Sequence, residues 1–254
     1  MNRLLCWLVI ALLPASALSD TKKPSSAQKQ YQALVKQYEE LGGARQLADK
    51  FLALAKQNAR QPMALDALGW ILVNVRGSNH PKQAAELILR DHLQDERLGM
   101  LCLELAGSTS VDVEAILRGA RETNRHTKVQ AAACFSLAGY LQNQLKVRQA
   151  LLTQPRLRRR IEQFYGAPFT RHVQSLDKDK TTAEIESLYD RIVKEYHSVD
   201  APMTDAAKTQ LVELRYLAVG KTAREIEGED VDDVPFKLSD YRGKVVMLTF
   251  WGHW

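Results

Sequence analysis

Apolar residues recur at helical spacing through almost two hundred consecutive residues, and no strand pattern appears before residue 231. A stripe of Tyr31, Leu34, Val35, Tyr38 and Leu41 closes at Gly42-Gly43, and Leu47, Phe51, Leu54 and Ala55 mark a second. Spacings of three and four residues place such side chains on one helix face, where burial rewards them together. Proline and glycine punctuate the series: Pro62 opens a helix over 62–76, and a turn at 77–81 precedes one over 82–92. Asp95 is positioned to cap a helix running to residue 105, and residues 107–110 separate it from one over 111–121.

The series continues with an alanine-rich helix over 126–152 and a short basic one over 156–165 that Gly166-Ala167-Pro168 is expected to end. A strongly periodic helix follows over 182–197, with a capping box at Thr181–Glu184, and Pro202 introduces a last helix to 219. Helices in such close succession predict antiparallel hairpins stacked as an irregular bundle or a short α-solenoid. No repeat near 34 or 40 residues recurs with a signature.

The first residues read differently. One basic residue, Arg3, is followed by an apolar run over 4–13, then Pro14 and the small residues Ala15-Ser16-Ala17. This is the pattern of a secretory signal peptide over 1–17, too short to span a membrane, followed by a polar linker over 18–26. The mature protein is therefore expected to be exported, without stable membrane insertion after cleavage. The formal charge of +5, read as an excess spread along the chain, is too weak to imply nucleic acid as a partner. Beyond Cys6 in the apolar run, the chain has two cysteines, Cys102 and Cys134. Both stand in apolar helical contexts, which suits buried thiols; export leaves a disulfide between them open. At 32 positions apart they are not a Cys-x-x-Cys redox pair.

Residues 220–254 break the helical pattern. An acidic loop over 227–233 precedes a short extended segment over 234–238, a turn at 239–243, and KVVMLTFW at 244–251, an apolar run suited to a strand buried on both faces. The opening Gly220-Lys221-Thr222-Ala223, the FKLSDYRGK turn at 236–244, the apolar strand and Phe250-Trp251-x-x-Trp254 resemble, in order and spacing, the beginning of exported thioredoxin-like thiol–disulfide oxidoreductases of the redoxin type. The resemblance covers about 35 of the 254 residues. Arg224 stands where that family usually has Pro, and Asp233 where it usually has Gly.

The resemblance implies an incomplete thioredoxin-like α/β domain over 220–254 after a helical domain over 27–219. It implies disulfide exchange with protein thiols or disulfides through a Cys-x-x-Cys pair that the family carries just after the final Trp. This sequence has no such pair, so the chain is expected to be a catalytically inactive fragment. The alternative is a helical protein-binding module with a non-catalytic redox-like tail. Neither reading calls for a metal or cofactor, and the oligomeric state is not legible.

No catalytic residue is assigned. Arg156, Arg158, Arg159 and Arg160 are read as a solvated helix face rather than a site for an acidic partner or phosphate. His80, His92, His126, His172 and His197 lack metal-ligand spacing and are read as surface or capping residues. His253 receives no catalytic role. Asp91, Asp95 and Glu96 are read as exposed or capping groups, and Glu227, Glu229, Asp230, Asp232 and Asp233 do not follow a calcium-loop spacing.

Overall fold

The computed structural model describes residues 25–59, 61–154, 156–217 and 219–249. The signal-peptide segment and Phe250-Trp251-x-x-Trp254 lie outside them. Ten α-helices account for most of the described chain: α1 Ser26–Leu41, α2 Ala44–Gln57, α3 Pro62–Asn74, α4 His80–Asp91, α5 Leu98–Leu105, α6 Asp112–Thr123, α7 Thr127–Thr153, α8 Leu157–Ser175, α9 Lys178–Glu195 and α10 Ala201–Val212. A two-stranded antiparallel ribbon follows, β1 Glu227–Glu229 paired with β2 Pro235–Lys237. The chain is thus mainly helical with one small sheet.

Packing follows sequence order. α2 lies on α1 and α3, α4 on α3 and α6, α5 and α6 on α7, α7 on α9, and α9 on α10. Contacts between near neighbours in the chain are the mark of stacked hairpins, so each apolar stripe is satisfied by the next one or two helices. At one end Phe51, with no exposed surface, stacks on Trp70 at 3.8 Å, while Tyr31 and Tyr38 meet Phe51 and Trp70 edge-on. At the centre α7 is buried on several sides, through Val129, Ala132, Ala133, Cys134, Leu137, Ala138 and Tyr140. Its alanines let α5, α6 and α9 approach one axis closely, which a Leu-rich helix would prevent.

The structure corrects the linear reading at four points. The break at Gly166 forms, with φ 84 and ψ 158, but the chain returns to helix directly after it and runs on to Ser175. Pro168 falls at the start of the resumed segment, where its missing N–H has no partner to lose. Helix α9 begins earlier than the capping box at Thr181, because Asp177 accepts from the Asp179 and Lys180 amides at 3.0 Å each. The acidic loop forms β1 and a turn in which Asp230 Oδ1 accepts from the Asp232 and Val234 amides. The run expected as a buried strand is irregular over 245–249, with Val245 and Met247 104% and 89% exposed. Nothing described lies beside it to accept its backbone groups, and an unpaired apolar strand has no gain to offset its ordering.

The kink gives a direct test. Gly166→Ala is expected to lower stability by about 1–3 kcal/mol, because a Cβ is strained at that backbone conformation. The urea midpoint reads it; an unchanged midpoint would mean that the backbone relaxes without cost.

Candidate functional site

A concavity of about 600 Å³ opens where the α3–α4 and α5–α6 turns face the kink of α8. Leu72, Val75, Leu105 and Phe169 supply apolar lining, and Ser78, Asn79, Ser108, Thr109 and Ser110 supply hydroxyls and an amide. The α5–α6 turn is braced from below: the buried Tyr140 hydroxyl donates to the Ser110 carbonyl at 2.9 Å.

At one edge, Ser78 Oγ lies 3.0 Å from His80 Nδ1, and His80 Nε2 lies 2.8 Å from Asp49 Oδ1. A hydroxyl–imidazole–carboxylate order activates a serine when the carboxylate is sheltered and locks the ring. Asp49 is 86% exposed, so water competes for it throughout. The contact is better suited to pinning the turn before α4 onto α2. Sequence reading missed it because 31 residues separate Asp49 from His80.

A second polar cluster joins four helices. Arg118 of α6 donates to Glu184 of α9 at 2.5 and 3.1 Å and to Glu114 at 2.8 Å. Those bonds, the one to Glu184 foremost, raise the guanidinium pKa further. His172 of α8 meets Gln144 Oε1 of α7 at 3.0 Å and stands 3.8 Å from Glu114. Gln144 is buried, and its Nε2 has no hydrogen-bond partner among the described residues. The cluster clamps α8 and α9 to the α6–α7 pair.

Other residues singled out from the sequence do not converge. His92 is buried rather than superficial; burial lowers its pKa, against the pull of Asp95 at 3.8 Å. Asp95 accepts from the Arg97 amide just before α5, and Asp91 pairs with Arg90. His126 precedes α7 without a side-chain cap bond, and His197 touches the Lys194 carbonyl. His253 lies outside the described residues. Among the described residues, no group of three His, Cys, Asp or Glu is placed to hold a metal ion, and no helix is long and apolar enough to cross a membrane.

Cys102 and Cys134 are free and buried. Desolvation pushes the Cys102 thiol from 9.0 up to about 12 and that of Cys134 to about 11. The Cys134 thiol donates to the Leu188 carbonyl at 3.4 Å. Attack on a disulfide requires a thiolate, and both sites suppress it.

Residues 219–249 carry a different geometry. Asp233 is left-handed, φ 59, and Gly243 ends the following turn with φ 82. Asp240 accepts from the Lys237 amide, Glu225 from that of Ser239, and Lys237 pairs with Glu227 across the ribbon at 2.7 Å. No family model matches the chain, and no characterised protein or solved structure matches it either.

Proposed function

We propose that this protein is of the exported, redoxin-like thiol–disulfide oxidoreductase type, with a stacked helical array that binds or positions protein partners. On this reading residues 220–249 begin the thioredoxin-like portion, and the 254 residues given do not themselves carry dithiol chemistry. The observation that supports it most is Asp233. The resemblance assigns that position to Gly, and here the backbone is left-handed, a conformation that Gly adopts freely and Asp tolerates. The ribbon, the turn at 238–243 and the apolar run after it then follow in the order the resemblance implies.

The helical array has the character of a binding surface rather than a redox centre, since both of its described thiols are buried and held protonated. A helical binding module with a non-catalytic redox-like tail is the second reading, favoured by the open concavity between the interhelix turns.

The purified chain is expected to reduce insulin disulfides no faster than a no-enzyme control. Turnover that survives replacing Cys102 and Cys134 with Ala would refute the need for a separate pair. Sequencing past the Trp254 codon separates the two readings. An in-frame Cys-x-x-Cys supports the oxidoreductase type, and a stop codon in several isolates supports the binding module.

A further inference from the structure

The positive charge is not spread along the chain, as the linear reading has it. Residues 146–171 hold seven basic side chains against one acid, Glu162, a net of +6, while the whole chain carries +5. The remaining residues therefore sum to −1. This segment is the end of α7 and most of α8, and its apolar contact is separate from the main core cluster. α8 packs on α7 through a small separate cluster built on Leu151, Phe169 and Val173. Arg156, Arg158, Arg159 and Arg160 all face solvent at its tip.

Exposed apolar side chains share that tip. Phe164 is 58% exposed and Leu152 61%. The Arg160 guanidinium lies 5.9 Å from the centre of the Phe164 ring, which places charge and aromatic surface on one stripe. The exposed phenylalanine adds apolar surface to the arginine face, which charge alone does not supply. A soluble polyanion is held by the arginines alone. A bilayer with anionic headgroups uses both, since arginines meet the phosphates while Phe and Leu enter the acyl boundary.

We propose that the α7–α8 hairpin tip is a peripheral docking surface for an anionic phospholipid bilayer, centred on Arg158, Arg159, Arg160 and Phe164. The bilayer holds the protein at its surface through this tip, and the rest of the array faces the aqueous side.

Vesicle co-sedimentation of the full chain tests this, comparing phosphatidylglycerol–phosphatidylcholine vesicles with phosphatidylcholine alone. The apolar run at 4–13 and its flanking Arg3, Lys22 and Lys23 are the same in every variant, so the loss between the chain and its hairpin variants reads the hairpin. Expected is preferential binding to the anionic vesicles, reduced about a hundredfold in Arg158→Gln/Arg159→Gln/Arg160→Gln and several-fold in Phe164→Ser, with an unchanged helical spectrum in each. Equal binding to both vesicle types, or full binding by the triple variant, overturns the proposal. So does an affinity for heparin that matches the anionic vesicles and is indifferent to Phe164→Ser, which would assign the surface to an acidic macromolecule. Salt-sensitive self-association abolished by the triple variant, without vesicle binding, would instead assign the arginines to the acidic stretch 225–233 of a second copy.

Discussion

Raising the pH above about 9 is expected to unfold this protein steeply, with the helical signal lost by about pH 12. Five buried or half-buried acids are held in their neutral forms by the fold. Desolvation lifts Cys102 to about 12, Cys134 to about 11, and Tyr31 and Tyr189 to about 12, and it drives Tyr140 up as well. In the unfolded chain thiols and phenols lose their protons near 9 and 10. Between those values and the folded ones the unfolded state binds fewer protons, so stability falls as pH rises. Below pH 9 the neutral forms prevail in both states and this contribution is complete. Circular dichroism and phenolate absorbance, followed together, check it. The share of the phenolate signal that belongs to Tyr31, Tyr140 and Tyr189 is expected to appear only as the helices melt. Titration of all eight tyrosines with the helices intact would show that these three side chains are open to water.

Phe51→Ala is expected to cost about 3–5 kcal/mol, lowering the melting temperature by roughly 10 °C. Phe51 is completely buried, and it is sandwiched by the stacked Trp70 and the edge of Tyr31, so its removal leaves a cavity that neither rigid ring can fill. The loss is also local. In a stack of near-neighbour contacts, α1–α3 are coupled to α7–α9 mainly through the helices between them. Amide exchange should therefore accelerate in α1–α3 well before α7. Uniform acceleration across all ten helices would show one indivisible cooperative unit. Met100→Ala, at a side chain 64% exposed on α5, serves as the control and should change stability by less than about 0.5 kcal/mol.

The helical series was legible because its signal is local. Leu47, Phe51, Leu54 and Ala55 share a face whatever they pack on, and Pro62 and Pro81 sit in the first turns of their helices. Where two local signals competed, position decided. Asp177 caps α9 ahead of the Thr181 box, and the carboxylate of Glu184 that would close that box is drawn to Arg118, 66 positions away. The turn signals of the last segment also read correctly around 239–243, while the strand after them did not form, because an apolar run becomes a strand only when other strands accept its backbone groups.

By itself, then, the order of residues determined the number and rough limits of the helices, their apolar faces, the break at Gly166 and the turn at 239–243. Each depends on backbone preferences and periodicities that act within a few positions. Only the tertiary structure decided that His92 is buried, that Asp49 reaches His80, that Gln144 meets His172, and that both thiols are sealed from water. These features join positions dozens of residues apart, and which of them meet is set by how successive helices stack, a sum of many small packing energies that no local pattern records.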